Sequence, residues 1–285
     1  MSITILADSA CDLSEHYYNE YNIEMIPLTV HLNEKDYRDS IDISPKTIYD
    51  AMREGQTPKT SQASVNQFKE IFTSYAKAEK PLLYIAFSSE LSGTYQAAKI
   101  VEQEIKEDYP EAQLHIIDSK CASLGLGLVV LEAAKMARQN ISFDELIAQT
   151  DKNAGRMEHI FTVDNLEYLY RGGRVSKTAA LVGGLLNIKP LLHVEGGKLI
   201  PLEKIRGTKK VLKRMIEVMD KRGNNLENQI IGISHGDDLP RAQELSKLIQ
   251  DKFSVKGENI IIEMVGSVIG AHSGPGTLAL FFCNK

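Results

Sequence analysis

The feature that most constrains the fold is a short apolar run that passes into a hydroxyl-rich turn and then into a helix. The run covers residues 82–87, LLYIAF, which is long enough for a buried strand and too short for a helix. The turn contains Ser92, Gly93 and Thr94, and apolar residues recur at helical spacing from Ala97 onward. This order predicts a strand–turn–helix unit, the building block of a parallel α/β sheet.

The same turn has the groups that an anion site needs. Backbone N–H groups at a helix N-terminus favour a negative charge, and the hydroxyls of Ser92 and Thr94 add further donors. No acidic residue stands at the start of this helix to fill the position. We interpret the anion as the carboxylate of a ligand, while capping of the helix by the same hydroxyls remains the alternative.

The overall composition excludes several classes of protein. The chain has 285 residues, enough for one large or two modest domains, and its net charge of -5 argues against nucleic acid as a partner. Cys11, Cys121 and Cys283 are far apart, which argues against a disulfide framework and a zinc site. The N-terminus lacks a basic leader and no apolar run could span a bilayer. We therefore expect a cytoplasmic protein with no stable membrane insertion.

The first half of the chain alternates strand patterns with helical patterns. The strand patterns are residues 3–7, 23–32, 82–87 and 114–118. They predict a three-layer α/β/α domain with a mostly parallel sheet over residues 1–157. Asp8 lies at the carboxyl end of the first strand, where such sheets place ligands, although it can equally hold the loop by hydrogen bonds.

A second pair of hydroxyls lies shortly before another helix. Ser64 and Gln67 match a capping box, so Thr60 and Ser61 have no helix to cap. We expect these two residues in a loop, either solvated or as a second contact for the anion.

Two glycine-containing apolar segments need an explanation. Gly125 and Gly127 resemble the start of a dinucleotide-binding fingerprint, but Val130 occupies the place of the third glycine. We interpret the two glycines as positions of close helix–strand packing. Residues 181–186 include a glycine pair, which leaves room for another group to approach the backbone closely.

The pattern changes in the second half, for which we predict an α/β domain with a mixed sheet over residues 158–285. A hairpin is predicted over residues 188–203, and His272 lies in the glycine-rich loop before the last strand. Arg171 and Arg174 flank a glycine pair, an arrangement typical of a helix end and equally of a phosphate-binding turn. Arg206 precedes a basic helix, whose charges are most simply a solvated face.

The chain lacks the common catalytic motifs. It has no P-loop, no H-E-x-x-H, no G-x-S-x-G elbow and no cluster with metal-ligand spacing. Triads are recognised by geometry and not by order, so a lipid or acyl-ester hydrolase using Ser92 and His272 stays open as an alternative function.

Taken together, the segments resemble the DegV family of bacterial fatty-acid-binding proteins. Five short segments carry the resemblance, in order: DSACDL at 8–13, TSQAS at 60–64, SELSGTY at 89–95, RGGRVS at 171–176 and GAHSGPG at 270–276. The resemblance implies a two-domain α/β protein that holds one long-chain fatty acid between its domains, without a cofactor or metal. Ala10 and Ala63 differ from the residues that many relatives have, which concerns loop detail more than function.

The resemblance also implies the residues of the site. In the family, hydroxyls of the second and third segments and the histidine of the last segment bind the carboxylate. Carried over to this chain, the expected contacts are Thr60 or Ser61, Ser92, Gly93, Thr94 and His272.

Several members of the family present the fatty acid to a dihydroxyacetone-kinase-like fatty acid kinase, which phosphorylates the carboxylate. This chain has no motif for ATP or metal, so we expect a carrier and not an enzyme. Arg171, Arg174 and Arg206 are the residues expected to face the partner and its phosphate, with internal ion pairs as the alternative. An acyltransferase is a further candidate partner.

Overall fold

The computed structural model describes residues 3–176 and 188–285, so the apolar segment 181–186 lies outside the described residues. The strands are Thr4–Asp8 (β1), Glu24–Ile26 (β2), Thr29–Leu32 (β3), Lys35–Arg38 (β4), Lys59–Ser61 (β5), Leu82–Ala86 (β6), Leu114–Asp118 (β7), Met157–Thr162 (β8), Ile188–Glu195 (β9), Lys198–Arg206 (β10), Ile231–His235 (β11), Ile260–Met264 (β12) and Leu278–Cys283 (β13). The helices are Glu15–Tyr21 (α1), Pro45–Arg53 (α2), Val65–Lys77 (α3), Thr94–Asp108 (α4), Ser123–Ala137 (α5), Phe143–Gly155 (α6), Leu166–Arg171 (α7), Thr208–Arg222 (α8), Leu239–Phe253 (α9) and Ser267–Ser273 (α10).

The apolar run singled out in the sequence forms a central strand of a parallel sheet. The strand order is β2-β1-β6-β7, and all three pairings are parallel. Every residue of β6 is buried, as expected for a strand covered on both faces. Helices α3 and α4 pack on one face of the sheet, and α1, α5 and α6 lie on the other. The predicted three-layer arrangement is confirmed.

The second sheet has mixed strand directions, also as predicted. Its order is β10-β9-β8-β13-β11-β12, and β11 with β12 is the parallel pair among otherwise antiparallel neighbours. Helices α8 and α9 cover one face with a core of their own. The other face looks towards α5 and the first sheet.

Helix α5 lies between the two sheets, and this position explains its glycines. A Cβ atom added to Gly125 would lie 2.8 Å from Cδ1 of Phe281, on the second sheet. A Cβ atom added to Gly127 would lie 2.5 Å from the carbonyl oxygen of Cys11, at the end of the first sheet. Neither contact is tolerable, so the prediction of close packing at these glycines is confirmed. The helix holds the two sheets at a fixed distance.

A small antiparallel sheet, β4-β3-β5, is separate from the two large sheets. Its apolar face packs on α2 and α10, with Val30 and Ile48 fully buried. The expectation that Thr60 and Ser61 lie in a loop was wrong. They belong to β5, because the backbone of Thr60 pairs with that of Val30.

The chain thus has the two-domain α/β fold expected from its sequence, with one parallel and one mixed sheet. The boundary between the two domains, predicted between residues 157 and 158, stays a prediction.

Candidate functional site

A cavity of about 360 Å³ lies where the two large sheets, the small sheet and α10 meet. This volume is within the range of about 300–1,000 Å³ that small-molecule sites occupy. Most of the wall is apolar and includes Leu28, Phe87, Phe161, Val194, Leu199, Val268 and Phe281. Four of the five predicted segments contribute polar residues to the lining: Thr60, Ser61, Ser92, Arg174 and His272. Of these, Thr60, Arg174 and His272 form one polar end.

The central contact at the polar end joins Thr60 to His272. Thr60 Oγ1 lies 2.7 Å from Nε2 of His272, although the two residues are 212 positions apart in the chain. The expectation that His272 lies in a loop was wrong, because it is the penultimate residue of α10. The helix directs the imidazole towards strand β5, and the structure brings together two of the residues predicted from sequence.

His272 is held in the uncharged form. Burial, and to a smaller extent the positive charge of Arg174, lower the pKa of His272 from 6.5 to about 4. A neutral imidazole has one N–H donor and one acceptor nitrogen. In the lipid-free protein at neutral pH the ring is therefore uncharged and acts as a hydrogen-bond partner.

The ring fits against Gly172, the first glycine of the pair that Arg171 and Arg174 flank, which lies at the predicted helix end. A Cβ atom added to Gly172 would lie 3.0 Å from Cε1 and 3.1 Å from Cγ of His272, and closer still to Nδ1. Thr60 lies against the opposite ring nitrogen. His272 is thus enclosed between Gly172 on one side and Thr60 on the other.

Ser92, Gly93 and Thr94 lie at the start of α4, and Ser92 and Gly93 line the same cavity as Thr60 and His272, whereas Thr94 is fully buried. Ser92 Oγ accepts a hydrogen bond from the N–H of Thr94 at 3.2 Å and lies 2.9 Å from Thr94 Oγ1. Gly93 is the residue that precedes the helix. The side-chain amide of Gln62 occupies the space where a Cβ atom on Gly93 would lie, a contact that sequence reasoning missed. Ser92 therefore satisfies a backbone group of α4 and also lines the cavity.

Ser61 points away from Thr60, because neighbouring side chains in a strand face opposite sides of the sheet. Its hydroxyl lies 2.5 Å from Nε2 of His31, whose Nδ1 is 2.6 Å from Oδ1 of Asp36. The Ser61 side chain is exposed on the outer face of the small sheet. Of the two predicted hydroxyls, the one that reaches His272 is that of Thr60.

The three predicted arginines occupy different environments. Arg174 is half-buried, lines the cavity, and donates from Nε to the carbonyl oxygen of Leu91 at 3.0 Å and from a terminal nitrogen to that of Gly172. Burial lowers the pKa of Arg174. Arg171 is exposed and pairs with Glu167 on its own helix at 3.0 Å. Arg206 is exposed at the end of β10, away from the cavity lining.

A second cavity, of about 260 Å³, adjoins the first. Thr60, Arg174 and His272 line both cavities and form the wall between them. Lys59 and Arg171 add two cations to the second cavity, and none of the described residues that line it is acidic. The polar end of the apolar cavity thus borders a compartment suited to an anionic group.

Asp8 does not contribute to the cavity. Its carboxylate accepts hydrogen bonds from the N–H of Ala10 at 3.2 Å, the N–H of Phe87 at 2.8 Å and the hydroxyl of Tyr84 at 2.8 Å. Asp8 therefore fixes the two loops at the carboxyl ends of β1 and β6 by hydrogen bonds, which was the alternative to a ligand contact.

The tip of the β9–β10 hairpin contacts the loop after β6. Ser88 donates a hydrogen bond to the carbonyl oxygen of Gly197 at 2.8 Å, and Lys198 pairs with Glu90 at 3.4 Å. Val194 and Leu199, on either side of the tip, line the apolar cavity. The hairpin tip therefore covers part of the cavity, an arrangement that the sequence did not reveal.

The hydrolase hypothesis requires Ser92 and His272 to meet. In residues 3–176 and 188–285, Ser92 is hydrogen-bonded to Thr94 and His272 to Thr60, and the two are not hydrogen-bonded to each other. Over the same ranges, no group of three or more acidic, histidine or cysteine side chains is placed to hold a metal ion. No helix there combines the length and apolarity needed to cross a bilayer.

The site is an apolar cavity between two sheets with hydroxyls, a neutral imidazole and a guanidinium in its lining, a combination that fits an amphipathic ligand. Comparison with known proteins agrees with this class. The family model described as "Uncharacterised protein, DegV family" matches residues 2–285. A DegV domain-containing protein from Clostridium perfringens is 42% identical, over 98% of this chain and 96% of its own. The chain belongs to the DegV family.

Solved structures of this fold include relatives with bound lipid. A DegV family protein from Thermus thermophilus, described by its fatty acid binding, superposes with a TM-score of 0.89 at 29% identity over the whole of both chains. The Streptococcus pneumoniae fatty acid kinase (Fak) B3 protein, loaded with linoleic acid, has a TM-score of 0.87 over the whole of both chains. Its identity of 23% establishes a shared fold.

Proposed function

We propose that this protein is a carrier that binds one long-chain fatty acid in the apolar cavity and presents its carboxylate to a partner kinase. The observation that carries the proposal is the hydrogen-bonded pair of Thr60 and His272 at the polar end of a 360 Å³ apolar cavity. The Thermus thermophilus relative, described by its fatty acid binding, supports the choice of ligand.

The proposed division of labour places affinity in the tail and orientation in the head. Burying about sixteen carbons contributes at most roughly 12 kcal/mol, at about 0.8 kcal/mol per methylene, before the costs of association. Each hydrogen bond to the carboxylate adds about 1.5–3 kcal/mol. The tail therefore supplies most of the binding free energy, and the head decides which end of the lipid enters last.

The proposed head site comprises Thr60, Ser92 and His272, with the backbone at Gly93 and Thr94. Thr60 is preferred to Ser61 because its hydroxyl already contacts His272, whereas that of Ser61 contacts His31. Arg174 lies at the same end and supplies the positive charge that the neutral imidazole lacks.

Mass spectrometry of the protein as purified, first native and then denatured, tests the carrier proposal. We expect a fatty acid that is bound without a covalent link and is released on denaturation. A protein that carries no lipid after gentle purification, and takes up none when fatty acid is added, would refute the proposal. Turnover of acyl esters by the isolated chain, abolished by Ser92→Ala, would support a hydrolase instead.

Titration of labelled fatty acid against His272→Ala and Ser92→Ala tests the head site. Both variants should bind the acyl chain more weakly, by about 10- to 100-fold, because one hydrogen bond to the carboxylate is lost and the tail contacts remain. His16→Ala, an exposed histidine on α1, serves as the matched control and should bind as the wild type does. A loss of several orders of magnitude in folded His272→Ala would show that the polar end dominates.

The second cavity supports the proposal of a phosphorylating partner. Lys59, Arg171 and Arg174 line it, and it shares Thr60 and His272 with the lipid cavity. A phosphoryl group delivered to the carboxylate would enter this basic compartment, where guanidinium groups bind phosphate oxygens well. We propose Arg171 and Arg174 as the residues that meet the phosphate.

Arg206 is proposed as a docking residue for the kinase, because it is exposed on the hairpin next to the basic helix α8. Arg206→Ala should retain fatty acid as the wild type does but form acyl phosphate more slowly with a dihydroxyacetone-kinase-like partner. Transfer by the wild type should also weaken as salt screens the contact. Lys77→Ala, at the far end of α3, is the control for loss of one exposed charge. ATP consumption by the isolated chain would contradict this division of labour.

A further inference from the structure

The outer face of the small sheet brings a serine, a histidine and an aspartate into hydrogen-bond contact. Oδ1 of Asp36 lies 2.6 Å from Nδ1 of His31, and Nε2 of the same ring lies 2.5 Å from Oγ of Ser61. These are the contacts of a Ser-His-Asp triad, which is recognised by geometry and not by order in the chain. The group is distinct from the pair of Ser92 and His272 that the sequence left open as a hydrolase site.

Strand register fixes this contact. Asn33 and Glu34 have φ values of +52° and +61°, as a two-residue hairpin turn of type I′ requires between β3 and β4. The turn places His31 directly opposite Asp36. On the other side of β3, Ser61 is the diagonal neighbour of His31 on the same face of the sheet. Side chains at these positions are within reach of each other.

The directions of the hydrogen bonds provide Ser61 with a base. A carboxylate can only accept, so the imidazole carries its proton on Nδ1 and directs it at Asp36. In the neutral ring Nε2 then has no proton, and it accepts from the hydroxyl of Ser61. A histidine held in this tautomer can remove the hydroxyl proton as the serine oxygen attacks a carbonyl carbon.

A donor for the developing negative charge lies next to Ser61. Over the residues that the structure describes, the backbone N–H of Gln62 has no hydrogen-bond partner. In α/β-hydrolases the N–H of the residue after the nucleophile is one of the groups that stabilise the oxyanion. The N–H of Gln62 is available for the same task.

The surroundings of the three side chains indicate which substrates can react there. The side chains of Asp36 and His31 are 73% and 33% exposed, and Ser61 is exposed as well, so a substrate can approach from solvent. The neighbours on the same face are all polar: Thr29, Arg38 and Lys59. This face therefore suits a short acyl group better than a long alkyl chain.

We propose that Ser61, His31 and Asp36 form an acyl-transfer site that hydrolyses activated esters of short carboxylic acids. This activity is separate from the proposed carriage of a fatty acid. Ser61 Oγ attacks the carbonyl carbon while its proton passes to Nε2 of His31, and the bond to the leaving alcohol breaks as that alcohol takes the proton. Water then attacks the acyl-serine with the same ring as base, so the carboxylic acid is released and Ser61 regains its proton.

Turnover of 4-nitrophenyl acetate by the whole protein tests the inference. Ser61→Ala and His31→Ala should lower kcat by about tenfold or more. Asp36→Asn should lower kcat by about three- to tenfold and leave KM unchanged, because Asp36 acts only through the ring. His16→Ala is the matched control for hydrolysis by a surface imidazole, and it should retain the wild-type rate.

An alkyl fluorophosphonate identifies the nucleophile, because attack on phosphorus expels fluoride and leaves the phosphonyl group on the attacking oxygen. The tryptic peptide of residues 60–69 contains Ser61, and fragmentation should place the label on that residue in the wild type and find none in His31→Ala. An unlabelled wild type, a label on Ser92 in place of Ser61, or equal turnover by the wild type and Ser61→Ala would overturn the inference. The three side chains would then serve only to join the strands.

Discussion

Replacing Gly172 with alanine should disable the head site without a direct change to any residue that meets the ligand. Gly172 has φ -71° and ψ -10°, which alanine adopts without strain, so the effect is purely steric. The new Cβ would lie 3.0 Å from Cε1 of His272 and closer to Nδ1. The ring cannot slide away, because Thr60 is 2.7 Å from its other nitrogen. His272 must therefore leave its rotamer.

The size of the effect follows from the contacts that His272 would lose. Its hydrogen bond to Thr60 contributes about 1 kcal/mol to stability, and a bond to a ligand carboxylate about 1.5–3 kcal/mol to binding. Gly172→Ala should thus lower affinity for a fatty acid by about 10- to 100-fold and lower the free energy of unfolding by about 1 kcal/mol. Fluorescence titration and urea denaturation measure the two quantities.

The adjacent glycine, Gly173, is the matched control, because alanine there would strain the backbone without contacting His272. Gly173 has φ +72°, where alanine is strained, and a Cβ atom there would meet no atom within 4 Å. Gly173→Ala should cost about 1–2 kcal/mol of stability and leave the affinity unchanged. Wild-type affinity in Gly172→Ala, or an equal loss of affinity in Gly173→Ala, would refute the argument that Gly172 keeps His272 in place.

Three further predictions concern titration and ligand exchange. The NMR titration of His272 in the lipid-free protein should have its midpoint near pH 4 and move upward when a carboxylate binds, and a midpoint near 6.5 would contradict the burial argument. Burial raises the pKa of Asp8 from 3.8 to about 6, so the folded protein retains a proton that the unfolded chain releases. The free energy of unfolding should lose about 3 kcal/mol between pH 4 and 6 from this group, and urea denaturation of wild type and Asp8→Asn should show that component in the wild type alone. The pKa values of His159 and His272 are lowered to about 4, so their titration changes the free energy of unfolding in the opposite direction. Both proteins contain these histidines, so this contribution cancels in the difference between wild type and Asp8→Asn. Gly197→Ala would place a Cβ atom 2.5 Å from Ser88 Oγ, so we expect faster release of a fluorescent fatty acid. Gly196→Ala, with no atom within 4 Å, should release it at the wild-type rate, and an equally unchanged rate in Gly197→Ala would show that the hairpin tip does not cover the lipid.

The sheets could be predicted from the sequence because their strands have strong local patterns. The run at residues 82–87 has no helical alternative, and β6 is buried throughout as a result. The environment of Thr60 could not be predicted in this way. Strand β5 has only three residues, too few for a periodic pattern, and it forms because β3 offers an edge to pair with.

The structural environment of the other predicted site residues could not be predicted from local sequence either. Sequence pattern placed His272 in a loop because glycines surround it, yet tertiary packing stabilises a two-turn helix there. Gly270 allows that packing, since a Cβ atom on it would lie 2.6 Å from the hydroxyl of Tyr49. Ser123 and Ser234 also line the cavity, with their hydroxyl oxygens 3.0 Å apart, and the sequence could not reveal this contact because the two residues are 111 positions apart.

The walls of the cavity belong to both sheets, so a bound lipid would complete the hydrophobic core that joins them. A ligand that binds only the folded state stabilises it by RT ln(1 + c/Kd), where c is the concentration of free ligand, which is about 4 kcal/mol when c is a thousand times the dissociation constant. On the proposed function, emptied molecules therefore open more often than loaded ones and are cut sooner by proteases. The abundance of the protein would then follow the supply of its lipid, with no regulator beyond turnover.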